Sequence, residues 1–215
     1  MKTVLFDLDG TLVNSKEGIT KCAQYALRAF GIEEKAENLE FFIGPPLEQT
    51  FMEHYGFSAE RAALAAGKYR ERYRPVGIYE CELYPDVEET LRRISNHGCR
   101  IALASSKPEV FCEKLMEYFH LKSYFDVIAG ATMDGKIASK ASVLRESMRR
   151  LGQCDAKSLL LIGDTRFDVL GAKEAGIDCV GVTYGFGSGE ELLWSGAAAV
   201  LGSMREVGDY IVERF

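Results

Sequence analysis

The most informative stretch of this 215-residue chain is VLFDLDGT, at residues 4–11. An apolar run leads directly into two carboxylates, Asp7 and Asp9, and Gly10 can supply a bend after them. This order is typical of a buried strand whose carboxyl end carries a functional loop. Because close carboxylates repel each other, the pair is costly unless a cation or a substrate uses it. A turn that is merely acidic is the alternative at this point.

Similar apolar runs recur along the chain, bounded by turn signals and separated by helical patterns. They predict strands at Val4–Leu8, Arg100–Ala104, Phe125–Ala129, Leu159–Ile162 and Cys179–Thr183, with Ala198–Leu201 as a sixth. Helices are predicted at Asp86–Ser95, Pro108–Phe119, Ser139–Leu151, Phe167–Ala175 and Gly189–Trp194. Alternation of strands and helices predicts an α/β fold with a doubly wound parallel sheet, whose ligands bind at the carboxyl ends of the strands.

Residues 14–81 interrupt this alternation, since they contain helical patterns and no convincing buried strand. One helix is predicted to end near Gly31, and Ala59–Arg74 predicts another. We expect a helical lobe inserted at 14–81, after the first strand of a core that residues 1–13 and 82–215 form. The hinges of this lobe would be Thr11–Ser15 and Cys81–Pro85. Helices that only pack on the outer face of the sheet are the alternative.

The composition bounds the class of protein and its partners. With 47% hydrophobic residues the chain can bury a sizeable core, and a net charge of −6 without a basic tract argues against nucleic-acid polymers as partners. The first residues do not resemble a signal peptide and no apolar run is long enough to span a membrane, so we expect a cytoplasmic location and no membrane partner. Widely scattered cysteines are expected to be reduced core residues rather than zinc ligands. They are Cys22, Cys81, Cys99, Cys112, Cys154 and Cys179.

A second acidic group follows a later predicted strand, in GDTRFD at 163–168. Asp164 and Asp168 are four residues apart, so a helix that begins here places both on one face near its positive end. The alternative is that they only cap this helix. Because both acidic groups come directly after buried strands, four carboxylates would converge at one edge of the sheet. Such a set of oxygen ligands suits Mg²⁺ and leaves room for a phosphate.

Two further strand ends add groups that suit an anion. Ser105 and Ser106 offer hydroxyls and backbone amides at a predicted helix start, although serines there are more often ordinary caps. Lys140 stands near the start of the next helix, where it is either a solvated surface residue or a counter-charge for phosphate. YGFGSG, at 184–189, predicts a flexible loop that borders the same edge.

Together these features resemble the haloacid dehalogenase superfamily of phosphatases, over nearly the whole chain. DLDGT at 7–11 matches the first motif of that superfamily, Ser105 the second, Lys140 the third, and GDT at 163–165 with Asp168 the fourth. Four motifs in the expected order are a far more specific signal than any one of them. The resemblance implies a Rossmann-like core with a small helical cap inserted after the first strand.

The resemblance also implies roles for the individual residues. Asp7 would be the nucleophile that forms an aspartyl-phosphate, and Asp9 the general acid and then the general base. Mg²⁺ would be bound by Asp7, the main-chain carbonyl of Asp9 and Asp164, with Asp168 close by or acting through a water. The residues implied to bind phosphate are Ser105, Ser106 and Lys140.

Cap sequences narrow the resemblance to the phosphoglycolate phosphatase and 5′-nucleotidase-like branch. FIGPPL at 42–47, RERY at 70–73 and GIYE at 77–80 resemble that branch, whereas Asp86 stands where the branch usually has glycine. Lys68 and Arg72 lie one helical turn apart, and they would either meet a second group of the substrate or only solvate the outer face of the cap. The other specificity residues implied for the cap are Ile43, Gly44 and Pro45.

The resemblance implies a Mg²⁺-dependent phosphatase of small phosphomonoesters, with 5′-nucleotides or phosphoglycolate as the leading substrates. Asp9 argues against dehalogenases and phosphonate hydrolases, since those members of the superfamily lack the second aspartate. A phosphomutase of sugar phosphates would keep all four motifs, and a catalytically idle binding or scaffold protein is a further alternative. The expected partner is a small phosphorylated metabolite, and the sequence predicts no oligomeric state.

Overall fold

A computed structural model describes residues 1–152 and 155–215, so Cys154 lies outside the described residues. Its strands are β1 (Thr3–Phe6), β2 (Val13–Asn14), β3 (Glu82–Leu83), β4 (Arg100–Pro108), β5 (Val127–Ala131), β6 (Leu159–Gly163), β7 (Asp178–Val182) and β8 (Ala199–Leu201). Within the described residues, six strands form one parallel sheet in the order β5-β4-β1-β6-β7-β8, and β2 pairs with β3. The predicted α/β fold with a parallel sheet is confirmed.

The first strand lies in the middle of this sheet. Phe6, its last residue, is paired with Leu103 of β4 on one side and with Ile162 of β6 on the other. All of β1 is buried, as expected for a strand that is covered on both faces. A residue that follows β1 therefore lies at the centre of the carboxyl edge, between the ends of β4 and β6.

The fourth strand is longer than the sequence predicts. We expected it to end at Ala104 and a helix to begin at Pro108, but β4 continues to Pro108 with a shift in its pairing to β5 between Ser105 and Pro108. Proline is tolerated there because β1, the neighbour on the other side, has already ended, so its missing N–H costs no ladder bond on that side.

The helices of the described residues include all those predicted, with shifted ends, and two that the sequence analysis did not find. The latter are α2, whose short apolar face follows two prolines, and α9, which lies beyond the last predicted strand. None of the helices in the described residues combines the length and apolarity needed to cross a lipid bilayer. The helices are α1 (Lys16–Arg28), α2 (Leu47–Tyr55), α3 (Ala59–Tyr73), α4 (Val87–Asn96), α5 (Glu109–Tyr118), α6 (Lys140–Leu151), α7 (Arg166–Ala175), α8 (Gly189–Ser195) and α9 (Met204–Arg214).

The chain folds into two compact units, of which the larger comprises Met1–Val13 and Leu83–Phe215. One face of its sheet is covered by α6 and α7, and the buried side chains of this layer form a continuous apolar core. Asp86, directly before α4, has a φ of +63°. That left-handed conformation favours glycine, and aspartate tolerates it better than most other residues do.

The smaller unit, Asn14–Glu82, contains α1, α2 and α3. α1 and α3 pack through small buried residues such as Ala23 and Ala66, which allow close approach of the two helices. Gly18 lies against the main chain of Gly77, where a Cβ would come within 2.0 Å of the carbonyl oxygen. Replacement of Gly18 by any larger residue would therefore push α1 away from the main chain at Gly77.

Candidate active site

Asp7 is the first residue after β1 and lies at the centre of the carboxyl edge of the sheet. Its main-chain N–H donates to the carbonyl of Ile162, 2.9 Å away, which continues the pairing of β1 with β6 for one more residue. A tight loop then reverses the chain, with N–H groups of residues 11–13 directed at the carbonyl of Leu8. Gly10 has a φ of +86° in this loop, so the bend predicted for it is present.

Asp164 and Asp168 follow the neighbouring strand, β6. Asp168 lies in the first turn of α7, where its Oδ2 accepts hydrogen bonds from the N–H and the hydroxyl of Thr165, at 3.0 and 2.9 Å. A Cβ on Gly163 would come within 2.4 Å of Asp168, so glycine allows this close approach of helix and strand. Asp168 therefore stabilises the start of α7, as the capping alternative proposed, and also faces the site.

Lys140 is the first residue of α6 and reaches into the same place. Its ammonium group contacts Asp7 Oδ1, lies 2.9 Å from Asp168 Oδ1, and donates to the carbonyl of Ala104, 2.8 Å away. The side chain is only 5% exposed, so Lys140 is not a solvated surface residue. Because this lysine lies between two carboxylates, it offsets part of the negative charge at the edge of the sheet.

Three aspartates form a compact group of possible metal ligands. Asp7, Asp164 and Asp168 each offer one carboxylate oxygen, and these oxygens all lie within 4.8 Å of one another. The residues are 7%, 1% and 2% exposed, respectively. Oxygen donors alone, buried and close together, suit a hard divalent cation such as Mg²⁺. The donor set therefore fits the metal that the sequence analysis expects.

The electrostatics of the group are unbalanced without a cation. Burial raises the pKa of Asp7 to about 6, although the Lys140 ammonium opposes this shift. Burial also raises the pKa of Asp164 well above its usual value, and the charges of Asp168 and Asp7 add to the effect. Since more negative charge is buried here than Lys140 can offset, a divalent cation would stabilise the ionised carboxylates.

The raised pKa of Asp7 predicts a pH dependence of stability in the metal-free protein. Between the ordinary value of 3.8 and about 6, the folded state holds a proton that the unfolded state has lost, so the contribution of Asp7 to stability falls as pH rises. Asparagine cannot titrate. In EDTA, we expect the unfolding free energy of Asp7→Asn relative to wild type to rise by on the order of 1–3 kcal/mol from about pH 4 to pH 7. Urea unfolding of both proteins at several pH values measures this difference in free energy. A difference that does not change with pH would contradict the raised pKa of Asp7.

The serines lie where the pairing of β4 with β5 shifts. Ser105 is buried, and its hydroxyl oxygen accepts from the N–H of Lys107 at 3.3 Å. Ser106 is half-buried. The structure thus places Ser105 in β4, two residues beyond Leu103, the partner of Phe6 at the end of β1.

Lys107 is a neighbour of the site that the sequence analysis gave no role. Its ammonium group lies 2.6 Å from Asp9 Oδ1, and its side chain is 6% exposed. The Asp9 carboxylate is therefore directed at Lys107 and lies outside the group formed by Asp7, Asp164 and Asp168. The sequence did contain a signal for this role, because Lys107 comes two residues after Ser105 and shortly after the predicted strand end at Ala104.

The remaining candidate residues belong to the smaller unit, where they have partners of their own. Ile43 is buried, whereas Gly44 is exposed with a φ of +102° and Pro45 is half-buried. Arg72 makes a two-pronged ion pair with Glu80 at 2.6 and 2.9 Å, and Lys68 lies 2.8 Å from Glu71. The guanidinium of Arg72 is thus paired within its own unit.

Several known proteins are similar to this chain over most of its length. A family model described as haloacid dehalogenase-like hydrolase matches residues 4–182. A 5′-nucleotidase from Pseudomonas aeruginosa is 43% identical over 190 residues, which are 88% of this chain and 86% of that protein. Phosphoglycolate phosphatase 1 from the same organism is 30% identical over 215 residues, covering 96% of this chain and 78% of that protein.

A solved structure is similar over the full length. The crystal structure of a predicted phosphatase from Clostridium acetobutylicum superimposes with a TM-score of 0.94 at 41% sequence identity. The match covers 99% of this chain and 98% of the other. The order of strands and helices described above is therefore shared with that protein.

Proposed function

This chain belongs to the haloacid dehalogenase-like hydrolase family, and on that premise we propose that it is a Mg²⁺-dependent phosphatase of small phosphomonoesters. The observation that carries the proposal is the buried group of Asp7, Asp164 and Asp168 around the ammonium of Lys140. This group supplies a nucleophile, a set of oxygen ligands for a cation and a counter-charge for phosphate, and the reaction needs a general acid and base in addition.

In the proposed reaction, a carboxylate oxygen of Asp7 attacks phosphorus, and the bond from phosphorus to the leaving oxygen breaks. Asp9, which must be protonated when substrate is bound, gives its proton to that oxygen, so the alcohol leaves neutral and an aspartyl-phosphate and the Asp9 carboxylate remain. Asp9 then takes a proton from water, which attacks phosphorus and releases phosphate and the Asp7 carboxylate. The ion pair with Lys107 holds the Asp9 side chain in place between these steps.

Mg²⁺ would be held by Asp7, the main-chain carbonyl of Asp9 and Asp164, with Asp168 close by or acting through a water. When bound, the cation offsets the charge that otherwise keeps an anionic nucleophile away from an anionic phosphate. Lys140 and Ser105 would bind phosphate oxygens, together with the main-chain amide of Ser106. Lys140 is already fixed by Asp168, so little side-chain entropy is lost when phosphate arrives.

In this proposal the larger unit carries out catalysis and the smaller unit selects the substrate. Residues 1–13 and 82–215 form the catalytic core, and residues 14–81 form a helical cap that selects the substrate through the loop at 43–45, with Lys68 and Arg72 as further candidates. The names of the relatives support 5′-nucleotides or phosphoglycolate as substrates. Scattered cysteines and a negative net charge support a cytoplasmic enzyme that acts on a small phosphorylated metabolite.

The test is phosphate release from a panel of about fifty phosphomonoesters, measured with Mg²⁺ and with EDTA. We expect Mg²⁺-dependent release, because the buried carboxylates need a cation to offset their charge. The names of the relatives lead us to expect a clear preference for nucleoside 5′-monophosphates or phosphoglycolate. Restoring excess Mg²⁺ after EDTA should restore the activity, which controls for irreversible damage.

Other outcomes separate the alternatives. Conversion of a hexose phosphate into its positional isomer, without net release of phosphate, would indicate a phosphomutase. Release that persists in EDTA would contradict the role of the cation. No reaction with any member of the panel, from a protein that binds Mg²⁺, would favour a binding or scaffold protein.

A further inference from the structure

The segment Tyr184–Gly187, one residue beyond β7, donates a main-chain N–H to the most buried carboxylate of the acidic group. Phe186 N–H lies 2.8 Å from Asp164 Oδ2. The other oxygen of Asp164 accepts a longer hydrogen bond, 3.4 Å, from the hydroxyl of Thr11. Donors on both oxygens restrict the rotation of this carboxylate, which is 1% exposed.

Glycines on both sides of Phe186 make this close approach possible. A Cβ on Gly185 would lie 2.3 Å from the carbonyl oxygen of Gly10 and 2.5 Å from Asp164 Oδ2. A Cβ on Gly187 would lie 2.2 Å from the main-chain oxygen of Asp164. Real Cβ contacts essentially never come below 3.0 Å, so any other residue at either position must push Asp164 and the segment apart.

A tyrosine anchors the beginning of the segment. The hydroxyl of Tyr184 donates to the carbonyl of Thr11 at 3.0 Å, and its ring packs on that of Tyr84 with centroids 4.8 Å apart. The segment is thus fixed to the loop after β1 through Tyr184 and to the loop after β6 through Phe186. We expected the glycines of this segment to make it a flexible loop. The structure shows instead that they allow the segment to pack closely against the site.

From this geometry we propose that Tyr184–Gly187 is a positioning element for Asp164, and that it sets the affinity of the acidic group for its divalent cation. The inference rests on the proposed function, in which Asp164 is a metal ligand. Partners that orient a metal ligand change metal affinity by about 10- to 100-fold when they are lost. The segment acts through Asp164 and does not itself contact the reacting atoms.

Calorimetric titration with Mg²⁺ tests the proposal on the full chain. We expect Gly185→Ala to weaken Mg²⁺ binding by about 10- to 100-fold, since the new methyl group displaces Asp164 Oδ2 or the Phe186 amide. Gly189→Ala is the matched control, because its Cβ would meet only the side chains of Thr183 and Val200, at 3.2 and 3.6 Å. The control should bind Mg²⁺ as the wild type does. Thermal unfolding in EDTA, recorded for each variant, separates a change in folding from a change in metal affinity.

A milder variant keeps the test decisive if Gly185→Ala does not fold. Tyr184→Phe removes only the hydrogen bond to Thr11, and we expect it to weaken Mg²⁺ binding by about 2- to 10-fold. Wild-type affinity for Mg²⁺ in a folded Gly185→Ala, or in Tyr184→Phe where the first variant is unfolded, would overturn the inference. A wild-type protein that binds no Mg²⁺ at all would instead overturn the proposed function, and the inference with it.

Discussion

Replacement of Asp7 by asparagine is expected to lower kcat for phosphate release by on the order of 10⁴-fold or more. The amide oxygen of asparagine is a poor nucleophile, so the aspartyl-phosphate cannot form. Asparagine has nearly the same shape as aspartate and still offers an oxygen to Lys140, so the site keeps its packing. The measurement is steady-state kinetics with the best substrate of the panel and saturating Mg²⁺.

Asp209→Asn provides the matched control for this prediction. Asp209 lies in α9 with its side chain 48% exposed and paired with Arg93, so the same chemical change there should leave kcat unaltered. Near-ultraviolet circular dichroism of Asp7→Asn checks that the fold is retained. If folded Asp7→Asn kept a kcat within about tenfold of wild type, a covalent mechanism through this residue would be wrong.

Replacement of Lys140 by methionine is expected to destabilise the metal-free protein by about 3–5 kcal/mol. The Lys140 side chain is 5% exposed and is the cation that Asp7 and Asp168 share, so its removal leaves buried carboxylates without a counter-charge. Those carboxylates raise the pKa of Lys140 despite its burial, which shows that the charged form is the one the fold stabilises. Urea unfolding in EDTA near neutral pH measures the loss.

The same variant should respond more strongly than wild type to added Mg²⁺. Without the ammonium, the cation becomes the main counter-charge at the site, so Mg²⁺ is expected to recover part of the lost stability but not the phosphatase activity. Lys136→Met is the control: its side chain is 84% exposed, and its removal should change stability by less than about 0.5 kcal/mol. A loss below about 1 kcal/mol for Lys140→Met would show that the buried ion pairs contribute little.

Local patterns were enough to predict the sheet and the places where its chemistry lies. Parallel strands are continuous apolar runs, and in a doubly wound sheet their carboxyl ends meet at one edge, so Asp7 and Asp164 could be assigned to strand ends at the same edge from sequence alone. The register of Phe6 with Ile162 then accounts for their proximity. The prediction that Asp164 and Asp168 share one face of a helix was wrong, because α7 begins only at Arg166, and Asp168 comes close to Asp164 from the first turn of that helix.

Other features of the site could not be predicted from the sequence, because they depend on the direction of side chains and on contacts between residues far apart in the chain. Nothing local distinguishes Lys140, which reaches two aspartates, from a surface lysine, and only the resemblance decided between the two alternatives. Lys107 was overlooked because its contact with Asp9 depends on the shift in β4, and a proline in the sequence argued that the strand had already ended. The role of residues 184–187 was hidden for a similar reason, since glycines that pack closely and glycines that flex look the same in a sequence.

The two oxygens of Asp168 have different partners, and this matters to anyone who wishes to trap a substrate in the site. Oδ2 accepts from Thr165 at the start of α7, while Oδ1 lies 2.9 Å from Lys140. A change at this residue therefore damages the helix start and the charge balance at once, and it would yield a poorly folded protein rather than a clean inactive one. Unlike Asp168, Asp7 does not cap a helix. Asp7→Asn is therefore the better variant for crystallising this protein with an unreacted phosphomonoester.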